Sequence, residues 1–201
     1  ANRLFLSVVA QLKGEKSNAV MACIGEYNVI SGIQTENYGL FTTKMFFENL
    51  DGAAGAQRFF KELQLGFNNF SVKKADPLPE TLESLPNDVR LQFEKGSSTN
   101  IVVEAITTHN IYNEDGQVLR EDDFYSDDME SDGTKKVIEL SGPIFDTLIN
   151  GKTLIVDELD AKLHPLLTRN IVLLFMDPER NKHGAQLIFA THDTNLLDLS
   201  V

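Results

Sequence analysis

The chain has 201 residues, enough for one large domain or two small ones, and its 42% hydrophobic content suffices for a buried core. Thirty acidic against eighteen basic residues leave a net charge of −12. Such a surface repels phosphate backbones, which argues against sequence-independent nucleic-acid binding unless a partner or a further segment supplies a basic groove. The single cysteine, Cys23, excludes a disulfide framework and a cysteine-based zinc site. No apolar run is long enough to span a bilayer, and the first residues lack a signal peptide's basic region and cleavage pattern, so a cytoplasmic protein without membrane contact is expected.

In chain order, residues 3–66 read as helices. Leu4, Leu6, Val8, Val9 and Leu12 give one stripe, "NAVMACIGEYNVI" a second, and "GLFTTKMFFENL" and "AQRFFKELQLGF" two more. Cys23, among Val20, Met21, Ala22 and Ile24, is expected as a small core residue. Pro77, Pro79 and Pro86 mark a loop-rich passage. β-branched residues on either side of Asn113-Glu114-Asp115-Gly116 predict a hairpin. Residues 114–132 hold nine acids against one base, Arg120, which predicts a solvated loop. "GTKKVIELSGPIFDTLIN" predicts a helix with a Gly-Pro interruption. A strand over 153–157, a helix over 165–176, a strand over 186–190 and a short terminal helix complete the pattern. Both ends fall inside apolar helical patterns, as expected of a piece of a longer chain.

Leu154-Ile155-Val156 and Leu187-Ile188-Phe189-Ala190 are continuous apolar runs, the pattern of parallel strands covered on both faces. One ends in Asp157-Glu158, the other in Thr191-His192-Asp193. Thirty-five positions separate Asp157 from His192, the length of one right-handed βαβ crossover. Adjacent strands would bring both polar clusters to one carboxyl edge, where open α/β sheets bind ligands.

These residue types suit nucleotide chemistry. An acidic strand end can offer one carboxylate to hydrated Mg²⁺ (Asp157) and a second to orient or deprotonate water (Glu158). Two capping acids would look the same. An imidazole at the end of a neighbouring strand, His192, can hydrogen-bond a γ-phosphate. Ser131-Asp132-Gly133-Thr134 opens a helix, where a hydroxyl and free amides form an anion site or simply an N-cap. Gly151-Lys152-Thr153 imitates the end of a phosphate-binding loop, but the preceding glycine, Gly142, lies nine residues back instead of five and a strand follows.

The order "ESDGTKK", "TLIVDELDAKLHP", "LIFATHDTNLLD" resembles the ATPase core of the ABC superfamily, closest to its OLD/RecF/SMC-like branch. The resemblance implies an α/β fold with a parallel sheet. Residues 131–201 would form the C-terminal part of an ABC-type P-loop ATPase domain, 1–68 a helical arm, and 69–130 an acidic loop and β-hairpin insertion. It implies ATP and Mg²⁺ as cofactors and an ATP-dependent homodimer that drives an effector or nuclease partner, in DNA-related or phage-defence processes. Ser131, Gly133 and Thr134 would form the signature loop that reaches a partner's ATP, and Asp157 would face Mg²⁺. Glu158 would be the catalytic base, Leu163 and His164 would lie in the D-loop with Pro165, and His192 would be the switch histidine. Two departures stand out. Asp132 replaces a glycine of the transporter signature, and no phosphate-binding loop is present, so weak nucleotide binding and negligible turnover are expected of this chain alone.

A different class competes over the same stretch. Asp128, Asp132, Gly133 and Glu139 fit the spacing of a Ca²⁺-binding EF-hand loop, making the chain a non-enzymatic Ca²⁺-binding or interaction module. Glu130 and Lys135 sit poorly at its third and eighth positions. Glu139 is a ligand in this reading and a helix-surface acid in the other. There is no H-E-x-x-H, and His109, His164 and His183 lack a serine or cysteine partner.

Overall fold

The structure, a computed structural model, describes residues 9, 11–33, 36–74 and 103–197. The expected stripe at Leu4, Leu6 and Val8 and the passage with Pro77, Pro79 and Pro86 lie outside the described residues. The chain runs through α1 (Glu15–Gly25), β1 (Tyr27–Ser31), α2 (Glu36–Phe47), α3 (Gly52–Leu63) and β2 (Asn69–Lys74). It continues with β3 (Val103–Tyr112), β4 (Val118–Tyr125), the single turn α4 (Ser126–Met129) and α5 (Asp132–Asn150). Then come β5 (Thr153–Asp157), α6 (Pro165–Met176), β6 (Gln186–Phe189) and a 3₁₀ turn, Thr194–Leu197. No helix among the described residues is long and apolar enough to cross a membrane.

Three strands form a parallel sheet in the order β1-β5-β6. The expected strands over 153–157 and 186–190 and the helix between them are all formed, the last strand ending at Phe189. β1 is a correction. "EYNVIS" continued a helical apolar pattern in the sequence, but the chain leaves the helix at Glu26 and pairs with β5 from Tyr27↔Thr153 to Ser31↔Asp157. A strand of the sheet therefore lies within the residues expected to be all helical. Cys23 is corrected with it: α1 buries none of its residues, and the thiol is exposed.

Both crossovers, β1 to β5 and β5 to β6, step in the same direction across the sheet, and right-handed connections then stack their helices on one face. Burial agrees. Ile30, Leu154 and Val156 join the core, with Leu187 and Phe189 packed against it. On the opposite face Val29, Ile155 and Ile188 lie in register, with Val29 70% and Ile188 53% exposed.

α5 is the central helix, burying Val137, Leu140, Ile144 and Leu148. It is capped at one end by Ser131 and at the other by Gly151 at φ 64°. Gly151-Lys152-Thr153 is thus a left-handed helix stop and a strand entry. The expected Gly-Pro interruption is absent, for a reason outside the helix. Pro143 has no N–H for the Glu139 carbonyl, and the buried Thr42 hydroxyl of α2 donates to that carbonyl at 2.7 Å. The same oxygen accepts the Gly142 N–H at 2.9 Å, and a Cβ on Gly142 would meet it at 2.5 Å. Glycine admits the threonine, and the threonine repairs the proline.

The second sheet is antiparallel, β2-β3-β4. Its hairpin turns at Asn113-Glu114-Asp115-Gly116 as the sequence predicts, with Asn113 Oδ1 accepting the Asp115 and Gln117 amides and Gly116 at φ 75°. The acidic run is not a loop: much of it is β4, with α4 behind it. Its charges are met across the sheet. Lys73 Nζ contacts Asp123 at 2.6 Å, Asn68 donates to Glu121 at 2.7 Å, and Arg120 pairs with Asp122 on the same strand. Hydrogen bonds from Lys73 and Thr108 hold the Asp123 carboxyl below its ordinary range. Phe46, Phe60, Phe67 and Phe70 join this region to the helices, Phe46 and Phe70 meeting edge-on at 4.8 Å.

Candidate functional site

The apolar run of β5 ends where its polar residues reach the carboxyl edge of the sheet. Asp157 is exposed there, and the Glu158 side chain is 38% exposed. Glu158 takes the left-handed conformation, φ 54°, which turns the chain sharply out of the strand. Three backbone hydrogen bonds set that turn. Gly32 N–H, just past β1, donates to the Asp157 carbonyl at 2.6 Å. Ala190 N–H donates to Val156 O, and Leu159 N–H to Ala190 O, both at 3.0 Å. A Cβ on Gly32 would fall on the Glu158 carbonyl, so only glycine fits against the acidic turn.

Past the end of β6, His192 N–H donates to Asp160 Oδ1 at 3.1 Å. Its ring, 83% exposed, stands with Nε2 4.0 Å from Glu158 Oε1. The structure therefore brings Asp157, Glu158 and His192 together at one edge, two carboxylates and an imidazole facing solvent. Burial pushes the Asp160 carboxyl up, but the Thr191 hydroxyl and the His192 N–H outweigh it and leave the group below its ordinary range.

Ser131 caps α5, its hydroxyl accepting the Thr134 N–H at 3.2 Å and lying 2.9 Å from the Thr134 hydroxyl. Gly133 rests against the turn after the acidic pair: a Cβ there would meet the Lys162 carbonyl at 3.2 Å. Leu163 is buried, and exposed His164 caps α6, its Nδ1 accepting the Leu166 N–H at 3.3 Å ahead of Pro165. Gly133, between Ser131 and Thr134, thus rests against the residue just before Leu163. No hydrogen bond or ion pair among the described residues joins Ser131, Gly133 or Thr134 to Glu158 or His192.

Two participants escape the sequence reading. Lys136 is 2% exposed, and its ammonium donates to the Leu159 carbonyl at 3.1 Å and to the Ala161 carbonyl. Burial pulls its pKa down to about 8, against the opposing pull of Asp160. The signal was a lysine one helical turn before Leu140, in line with the buried stripe of α5. Asp160 carried none.

The EF-hand geometry is not formed. Residues 132–139, which would supply its ligands from the fifth to the twelfth, are helical. Glu130 is committed to His109 Nε2 at 2.8 Å, a partner the sequence did not suggest, and Lys135 Nζ donates to the Asp127 carbonyl. Among the described residues no group of three or more His, Cys, Asp or Glu could hold a metal ion by itself.

The donors at the sheet edge fit a different ion. Mg²⁺ is usually held by one or two carboxylates with phosphate and water completing its shell, and exposed Asp157 offers that. A phosphate cradle, by contrast, is not among these residues: the sequence has no G-x-x-x-x-G-K-[ST].

A family model described as AAA domain, putative AbiEii toxin, Type IV TA system matches residues 56–198, well over half of the chain. No curated protein and no solved structure matches it.

Proposed function

Because the chain belongs to this family of AAA domains, a P-loop ATPase type that binds nucleotide, we propose that its sheet edge is the Mg²⁺ and water side of an ATP-hydrolysing site. The observation that carries the reading is the convergence of Asp157, Glu158 and His192 on adjacent parallel strands, with His192 Nε2 4.0 Å from Glu158 Oε1. Bound Mg²⁺ would neutralise charge on the phosphates. Asp157 would hold the hydrated ion. Glu158 accepts a proton from the attacking water, and His192 donates to a terminal phosphate oxygen and orients it.

The finer reading is an OLD/RecF/SMC-like ATPase that closes as a homodimer around two ATPs. Ser131, with the free amides at the start of α5, would then meet the nucleotide held by the partner, and the D-loop residues Leu163 and His164 would line the same interface. Residues 1–201 hold no phosphate-binding loop, so in this reading the loop would be supplied from elsewhere, and this chain alone binds ATP weakly and turns it over negligibly. Opening after hydrolysis drives an attached effector or nuclease, in keeping with the toxin named in the family description.

The test compares Mg²⁺-dependent ATP turnover by the protein carrying its phosphate-binding loop with that of Glu158→Gln. Loss of about 10²–10⁴-fold, with ATP binding and ATP-dependent dimerisation kept, is expected of a lost general base. Unchanged turnover would move the chemistry elsewhere, and absence of ATP binding in both proteins would remove the reading.

A further inference from the structure

The turn after Glu158 is gripped by two charged groups that the mechanism above does not use. From α5, the Lys136 ammonium reaches the Leu159 and Ala161 carbonyls. Between those two residues, Asp160 turns the other way and accepts the His192 N–H at 3.1 Å and a hydrogen bond from the Thr191 hydroxyl. Three pieces of chain far apart in sequence thus meet at one point: the second turn of α5, the acidic turn and the segment past β6.

A buried cation needs a reason. An apolar side chain of similar length would fill the space without the desolvation penalty, and the exposed face of α5 could have carried the lysine. What an apolar residue could not do is bind the Leu159 and Ala161 carbonyls of one tight turn at once. That turn includes Glu158 at φ 54° and Lys162 at φ 58°, two non-glycine residues in the left-handed region. Such conformations persist where the surroundings over-determine them. Gly32 does so from the β1 side, Lys136 from the α5 side, and Asp160 passes the constraint on to His192.

We propose that Lys136 and Asp160 are positioning residues that hold the Glu158 carboxylate and the His192 imidazole in fixed relation to the N-terminus of α5. The inference rests on the ATPase reading and deepens it. The end of α5 that faces a partner's nucleotide and the carboxylate that serves the chain's own nucleotide then move as one body. Lys136 and Asp160 touch neither.

The experiment uses Lys136→Met and Asp160→Ala, with thermal melts to confirm folding. Asp160 is partly exposed and keeps the test open if Lys136→Met does not fold. Amide hydrogen exchange on the chain without nucleotide is read at Ala161 and Leu163, whose N–H groups bond within the turn, and at His192. Exchange at least tenfold faster is expected at the turn in Lys136→Met and at His192 in Asp160→Ala. In the protein carrying its phosphate-binding loop, kcat for ATP is expected to fall at least tenfold while KM stays within threefold. Unchanged exchange in every variant that folds overturns the proposal. So does faster exchange with unchanged kcat where Glu158→Gln abolishes turnover, since the contacts would then be structural only. If Glu158→Gln leaves turnover intact, the ATPase reading is what has failed, and the exchange data still decide whether these residues hold the turn.

Discussion

Glu158 is held in a conformation that disfavours it. The left-handed region costs a non-glycine residue about 1–2 kcal/mol, and at φ 54° Glu158 pays it at an exposed sheet edge where no packing requires the side chain. Strain of this kind gathers at functional sites. Glu158→Gly should therefore raise stability by ~0.5–1 kcal/mol, the relief of strain less the added freedom of the unfolded chain. Urea denaturation of the two chains measures this. A loss of stability would mean that the carboxylate, 4.0 Å from His192, contributes more to folding than its backbone takes away. Gly32 shows the converse. It is the one residue type that fits beneath the Glu158 carbonyl, although its φ is unremarkable and nothing in "VISGIQ" marks it.

Among elements, α5 shows how a local signal is overridden from a distance. Gly142-Pro143 should break a helix, and it fails to because Thr42 supplies the missing donor. Thr42→Val keeps the shape and removes the hydroxyl, leaving the Glu139 carbonyl and the Gly142 amide without that partner. The expected loss is ~1–3 kcal/mol by thermal or urea unfolding, with Thr42→Ser retaining most of the stability. An equal loss in both would assign the effect to packing of the methyl group. The elements that could be read in the sequence were those fixed by near neighbours. β5, α6 and β6 are set by short apolar runs and punctuation, the hairpin by Asn113 and Gly116, and the start of α5 by Ser131. That Asp157, Glu158 and His192 share one sheet edge was legible for the same reason. The illegible parts depend on partners distant in the chain. β1 is a strand because β5 lies beside it, and the acids of β4 are tolerated because Lys73 and Asn68 face them. Lys136 is buried because the acidic turn offers it carbonyls.

For the whole molecule, the two crossovers leave one sheet face uncovered among the described residues, with Val29, Ile155 and Ile188 in a row. Parallel sheets are normally covered on both faces. Val29→Thr with Ile188→Thr keeps β-branched side chains and should cost less than about 1 kcal/mol in total while raising solubility and reducing binding of a hydrophobic dye. A larger loss of stability, measured at several protein concentrations, would show that the face is covered in solution.

The pairing of β1 with β5 also has a kinetic side. β5, α6 and β6 follow one another directly, whereas α2, α3, the whole second sheet and α5 intervene between β1 and β5. Closing that long loop carries the larger entropic penalty, so β1 is expected to join the sheet after β5 and β6 have paired. Its last contact is the Gly32 amide beneath Asp157. A chain in which β1 has come loose keeps both carboxylates and the histidine but loses the support that orients them. The geometry of the sheet edge is thus completed only when β1 is in place, and copies without it lack that arrangement of the two carboxylates and the histidine.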